Sequence, residues 1–386
     1  MVQAGRRVSL LLLLSFVGYI ALGMPDAVIG PAWPSLRAHF DLPVDALGAV
    51  LITTTTGSVI ASTGTSWILR RMGIGHLLTA SCLVTAASLT GYVFAPAWTV
   101  FVLMGLLSGI GAGAIDTAIN TFAALRYSAR VVNVLHAFYG VGAAAGPAIM
   151  TAMLVTNRGW QAGYGVIIAL EVALAIAFFL TRAQWPTPQS STEHHRDVSL
   201  LQTMRLGRVQ LSMLVFFVYT GCEAAVGAWA FSLLFEARDF STSTAGAAVT
   251  IYWIGLFASR LGYAFLPSGT NPVRVIRASI VSAFAGIVVL MLDLSPVIDI
   301  ATIALIGFAS GPIFPSLIST TPARVGENHT ANTVGLQIAM ASMGLALIPS
   351  LCGVVAARAG LESIPVVLAI CWLVVLVAYL VLDRRH

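Results

Sequence analysis

The sequence predicts an all-α membrane protein of about twelve transmembrane helices, arranged as two six-helix halves. Composition, a succession of apolar runs and one hydrophilic stretch at mid-chain together predict it. Of 386 residues, 58% are hydrophobic and only 9% are charged, and the mean hydropathy is +0.92. A soluble domain carries about a quarter charged residues. A single protein core cannot hide so much apolar surface, so lipid must be its solvent. Each span needs ~20 apolar residues, so twelve use roughly 240 and leave short loops.

Apolar runs between polar breaks place spans near 8–36, 45–69, 75–95, 97–125, 131–156 and 163–182, then near 209–236, 243–266, 272–292, 296–320, 329–357 and 363–382. Arg6-Arg7 before an apolar run looks superficially like a secretory signal. The run continues through Ile29 toward Trp33, however, which is longer than a signal's apolar region. It is therefore expected to be the first span. Gln184–Arg208 is the long hydrophilic insert, which gives an N-terminal half of 1–183, a central loop of 184–208 and a C-terminal half of 209–386.

Arginine placement gives an orientation. With the N-terminus inside, only Arg37, Arg158, Arg238 and Arg358 of the 20 arginines fall outside. By the positive-inside rule both termini and the central loop are expected to be cytoplasmic, in the inner (plasma) membrane. The halves also echo each other at an offset of about 200 residues, as a parallel repeat does. Phe16-Val17-Gly18-Tyr19 faces Phe216-Phe217-Val218-Tyr219, and Ser108-Gly109 faces Ser310-Gly311. Gly105, Gly109 and Gly113, and later Gly142 and Gly146, mark faces where helices approach closely.

Several classes are excluded. Cys82, Cys222, Cys352 and Cys371 stand singly, so neither a metal site nor a disulfide framework is expected. All basic residues are arginine, which removes Schiff-base and P-loop lysine chemistry. No nucleophile–base or metal-ligand cluster emerges, so the chain is not expected to be an enzyme, to hold a cofactor or to bind nucleic acid. A monomer is expected.

Four acids lie inside apolar spans: Asp26, Asp116, Glu171 and Glu223. An ionisable group at this depth is costly and usually functional. No arginine near a span centre is expected to pair with them, so they suit proton coupling. Asp26 shares a helix face with Tyr19 and Trp33. Asp116 and Asn120 are one turn apart in span 4, and Asn133, His136 and Tyr139 step along span 5. Glu223 follows Tyr219 by one turn in span 7. Trp229, Tyr252, Trp253 and Gln337 are further candidate ligand contacts, since aromatic faces stack on sugar rings.

At these residues the chain resembles the fucose–galactose–glucose:proton symporter branch of the major facilitator superfamily. The resemblance runs over all twelve spans. It is carried by Gly23-Met24-Pro25-Asp26 through Gly30-Pro31-Ala32-Trp33-Pro34, by Asp116-Thr117-Ala118-Ile119-Asn120, by Asn133 through His136 to Gly142, and by Gly311-Pro312-Ile313-Phe314-Pro315. It implies a major facilitator fold, with Asp26 and Asp116 serving proton coupling and sugar recognition. It also implies that span 6 is peripheral, which would make Glu171 a packing residue. The branch commonly has Glu at position 116 and an amide at His136, and Arg70 stands where an Asp is typical. The expected function is proton-coupled symport of a sugar or related polyhydroxylated solute by alternating access, with proton coupling assigned to Asp26, Asp116 and Glu223. Sodium is the other coupling ion open to such a site. The alternative is a proton-antiporting exporter of an amphipathic drug or metabolite.

Overall fold

The computed structural model describes residues 2–127, 129–186, 198–267 and 269–384, and among these there are helices and turns but no strand. Six long helices come first: α1 (Val2–Phe40), α2 (Leu47–Met72), α3 (Ile74–Val93), α4 (Trp98–Arg126), α5 (Ala129–Val155) and α6 (Gly159–Thr181). After the mid-chain stretch come α7 (Gly207–Ser232), α8 (Thr242–Ala264), α9 (Pro272–Leu290), α10 (Pro296–Ser310, continued by Ile313–Ser319), α11 (Glu327–Ala359) and α12 (Ser363–Arg384). Among the described residues, 11 helices are long and apolar enough to cross a membrane. The remaining one, α8, is 23 residues long but more polar, opening on Thr242-Ser243-Thr244 and carrying Arg260. The chain is thus a multi-pass membrane protein, with helices where apolar runs predicted spans. Residues 187–197 of the expected central loop lie outside the described residues.

Helix ends follow local chemistry. The Asn271 side chain accepts the Val273 N–H at 2.9 Å and Ser295 accepts that of Ile298 at 3.4 Å, each with proline at the first helical position. Both devices satisfy or remove amides that a helix start leaves unpaired.

The chain forms two compact units, one of Met1–Ser190 with Thr242–Thr250, the other of Ser191–Ser241 with Ile251–His386. In the first unit α1 packs on α5, α2 on α4, and α3 on α4 and α6. In the second α7 packs on α11 and α12, and α9 on α10 and α12. The pairing of first with fifth helix, and of third with fourth and sixth, therefore recurs. It recurs down to single contacts. Gly142 of α5 lies against the Ile20 carbonyl of α1, and Gly344 of α11 against the Phe217 carbonyl of α7, with no room for a Cβ at either place. Backbones this close are what small residues permit in lipid.

One ion cluster ties helix ends within the second unit. Arg238, just past a π-helical turn Leu233–Ala237 that prolongs α7, donates from Nε and Nη2 to the two Glu362 carboxylate oxygens, both at 2.8 Å. Nη2 also donates to the Leu290 carbonyl at the end of α9 (2.9 Å). Nη1 lies 3.0 Å from Asp299 in the first turn of α10, and Nε 3.5 Å from Asp293. Burial opposes the charged guanidinium, but Glu362, by hydrogen bond and charge, and then Asp299 and Asp293 hold it above the ordinary arginine range. The sequence had shown Arg238 only as one count in a charge tally.

Candidate functional site

The first unit gathers most of the expected polar residues. Packing of α1 against α4 and α5 brings the Tyr19 hydroxyl 2.8 Å from Asn120 Oδ1, 3.2 Å from Asp116 Oδ1 and 3.5 Å from His136 Nε2. Asn120 Nδ2 donates to the same Asp116 oxygen at 3.0 Å, as their four-residue spacing on one helix face allows. The Tyr19 and His136 rings are 5.0 Å apart. Tyr19 is 2% exposed, whereas Asp116, Asn120 and His136 are half-buried, so the cluster has a closed floor and an accessible rim. One phenolic hydrogen cannot serve both Asp116 and Asn120. The Tyr19 oxygen therefore has an acceptor position that a proton carried by Asp116, or by His136 Nε2, can fill.

Asp26 lies on the same helix as Tyr19, two turns on, and its side chain is exposed. The Tyr139 hydroxyl of α5 donates to Asp26 Oδ2 at 3.0 Å. Asp26 and Asp116 are close enough for their charges to interact. Asn133 belongs to α5, but its side chain lies outside the described residues.

Trp33, expected as a ligand contact, is instead fully buried. Its ring centroid lies 5.7 Å from that of Trp98, in an aromatic cluster with Phe40 and Phe101. Its place on the Asp26 stripe was legible; that α4 supplies Trp98 to cover it was not.

The second unit corrects a premise. Glu223 is not without an arginine: Arg260 Nη2 of α8 lies 3.6 Å from Glu223 Oε2, with both side chains about 15% exposed. Arg260 Nε also donates to the Gly311 carbonyl at 3.2 Å. Arg260 had been counted among the arginines at the membrane face, although it falls inside the run 243–266, and a lone arginine in an apolar run is the signal that could have flagged it. Tyr219 donates to Glu223 Oε2 at 2.5 Å, with the Ser310 carbonyl 3.0 Å away, and Tyr252 donates to the Glu223 backbone carbonyl at 2.9 Å. Losing its charge would leave the Arg260 guanidinium without its counterion, so Glu223 reads as an ion-pair partner.

The other second-half candidates are packed in the interior. Trp229 is 1% exposed and its Nε1 donates to the Pro349 carbonyl at 2.9 Å. The Trp253 and Tyr252 rings meet edge-on at 5.1 Å, and both residues are buried. Gln337, also 1% exposed, donates to Ser212 Oγ at 2.5 Å and to Thr321 Oγ1 at 3.0 Å. Among the described residues no group of three or more His, Cys, Asp or Glu side chains could hold a metal ion.

Comparisons with known proteins agree with this architecture. The model of the Major Facilitator Superfamily matches residues 14–349. Among curated proteins, the chain is 22% identical to bypass of stop codon protein 6 of Saccharomyces cerevisiae, over 95% of this chain and 80% of that protein. It is 20% identical to the glucose/mannose transporter GlcP of Bacillus subtilis, over 88% and 86%. With sodium-dependent glucose transporter 1A of Mus musculus it shares 24%, over 92% and 91%. Among solved structures, the nucleoside transporter NupG superposes with a TM-score of 0.77 at 15% identity, over 98% of this chain and 99% of that one. The Escherichia coli fucose:proton symporter FucP superposes with a TM-score of 0.64 at 16% identity, over 98% of both chains. At these identities the structural likeness is one of fold. A family match over residues 14–349 makes this protein a member of the Major Facilitator Superfamily, a membrane transporter and not an enzyme.

Proposed function

We propose that the protein is a proton-coupled symporter of a sugar or related polyhydroxylated solute, working by alternating access in the plasma membrane with both termini cytoplasmic. The observation that carries the proposal is the shared hydrogen of Tyr19. Its oxygen faces Asp116, Asn120 and His136, so gain or loss of one proton at Asp116 rearranges every donor and acceptor in the cluster. A solute rich in hydroxyls, each both donor and acceptor, matches such a rim better than an apolar one. Asp26, held by Tyr139 on the same unit, supplies a second carboxylate within electrostatic reach. The glucose/mannose transporter GlcP, sodium-dependent glucose transporter 1A and the fucose:proton symporter FucP, to which the chain is similar, favour the same solute class. Glu223 is left to its ion pair, and coupling rests on Asp26 and Asp116.

A thermal-shift screen of the purified protein against sugars and polyols at two pH values identifies a ligand. Uptake of that ligand into proteoliposomes then tests coupling. A pH gradient of one unit supports about tenfold accumulation at one proton per solute. Asp116→Asn is expected to abolish that accumulation while leaving solute exchange intact. Undiminished pH-driven accumulation in Asp116→Asn sinks the coupling role. Accumulation driven by a sodium gradient alone replaces the ion. Solute-evoked acidification outside whole cells, in place of alkalinisation, reverses the direction to export.

A further inference from the structure

The last part of the expected central loop is an ordered helix. Leu200–Met204 forms a short helix directly ahead of α7. Ser199 caps it. The Ser199 hydroxyl accepts the Gln202 N–H at 3.2 Å, and the Gln202 side chain accepts the Ser199 N–H at 3.3 Å. This reciprocal pattern satisfies two of the amides that a helix start leaves open. Side chains of α11 then fix the helix in place. Asn332 Nδ2 donates to the Val198 carbonyl at 2.8 Å and to Thr203 Oγ1 at 3.2 Å, and Thr203 Oγ1 lies 3.0 Å from His329 Nδ1. At the far end Gln210 Nε2 of α7 donates to the Met204 carbonyl at 3.1 Å. Thr203 is fully buried, so one face of the short helix is sealed against the protein.

With Thr203 fixed, the directions of its neighbours follow. At about 100° per residue, Leu200, Met204 and Leu201 fall on one side of Thr203 and Gln202 falls on the other. Leu200, Leu201 and Met204 are 52%, 60% and 38% exposed, so the rest of the chain leaves that side open. Gln202 and Arg205 are exposed as well. A single exposed leucine is ordinary, but three large apolar side chains on one side of so short a helix form a patch.

The attachment of the helix says what covers this patch. Only Arg205 and Leu206 separate Met204 from Gly207, where a helix long and apolar enough to cross a membrane begins. That connection spans at most ~11 Å, so the short helix cannot leave the membrane surface. Arg205 and Arg208 stand at the same end, both exposed, with Arg208 Nη1 donating to the Arg324 carbonyl at 3.0 Å. Basic side chains beside a span are attracted by acidic lipid headgroups, and an apolar helix side next to them suits the boundary between headgroups and acyl chains.

We propose that Leu200–Met204 is an interfacial anchor. It lies along the membrane surface where α7 enters, with Leu200, Leu201 and Met204 in the acyl boundary and Arg205 and Arg208 on acidic lipid phosphates. Asn332 and His329 of α11 hold it in that orientation. Nothing in this anchor depends on the solute or the coupling ion, so it stands or falls separately from the transport reading.

The test is spin labelling of the full chain in liposomes of phosphatidylethanolamine and phosphatidylglycerol. A Cys371→Ser background serves, because the other three native thiols are buried. Labels are placed through Leu201→Cys, Met204→Cys and Gln202→Cys, one at a time. Those at 201 and 204 are expected to collide more with oxygen, which concentrates in lipid, than with a water-soluble nickel chelate; the label at 202 should do the reverse. Omitting phosphatidylglycerol should raise nickel accessibility at 201 and 204, as should Arg205→Gln with Arg208→Gln. Asn332→Ala should diminish the contrast between 201 and 202, since the helix is then free to roll. Nickel accessibility at 201 and 204 equal to that at 202 overturns the anchor. Dipolar broadening between labels at 201 also overturns it, by placing a second copy of the chain on this face. Accessibility indifferent to phosphatidylglycerol overturns the role of the two arginines, and an undiminished contrast in Asn332→Ala overturns that of α11.

Discussion

Arg238 offers a perturbation whose size can be worked from its surroundings. Three carboxylates surround one guanidinium, but they do not count equally. Glu362 and Asp293 are 48% and 57% exposed, so water competes with the arginine for both, and such pairs are worth ~0–1 kcal/mol each. Asp299 and Arg238 are 0% and 2% exposed, and their partner atoms lie 3.0 Å apart. Removing the cation strands a buried anion, which typically costs ~3–5 kcal/mol. For a unit of this size each kcal/mol moves Tm by about 2–4 °C, so Arg238→Met is expected to lower Tm by roughly 6–20 °C. Glu362→Gln should cost under about 1 kcal/mol. The double variant Arg238→Met/Asp299→Leu should recover most of the single variant's loss, because the stranded charge is gone. Differential scanning fluorimetry in detergent reads all three. The guanidinium is held above its ordinary range and stays charged up to strongly alkaline pH, so on the acid side the cluster is weakened by protonation of its carboxylates, not by the arginine. An Arg238→Met protein that melts with wild type, or a double variant no better than the single, refutes the reasoning.

Two further outcomes separate the readings above. Glu223→Gln should lower thermal stability yet retain pH-driven accumulation, since its partner is Arg260; accumulation lost with exchange intact would return Glu223 to coupling. Gly142→Val and Gly344→Val should destabilise by similar amounts, ~1–3 kcal/mol each, because each drives a side chain into the carbonyl of the paired helix. Wild-type melting of either variant would refute the close approach there.

The sequence made the helices legible, and part of the site. Apolar runs of about twenty residues have one stable outcome in lipid, so their positions needed no tertiary information. Asp116 and Asn120 are four residues apart on one helix, and their contact is set by the helix itself. The contacts that decide roles are of another kind. Tyr19 reaches Asp116 over 97 residues, and Gln337 reaches Ser212 over 125. Periodicity gives the face on which a residue stands but not which helix meets that face. Trp33 and Asp26 share a stripe, yet packing buries the first against Trp98 and leaves the second exposed.

By itself, then, the sequence determined that this is a helical membrane protein with protonatable groups at depth. Apolar length and the cost of a buried charge are properties of single segments. Only the tertiary structure decided which acids have partners: Asp116 meets Tyr19, Asp26 meets Tyr139, and Glu223 meets Arg260, while Glu171 is buried inside its unit. A charge pairs across helices at distances of a few ångströms, and helix packing alone sets those distances.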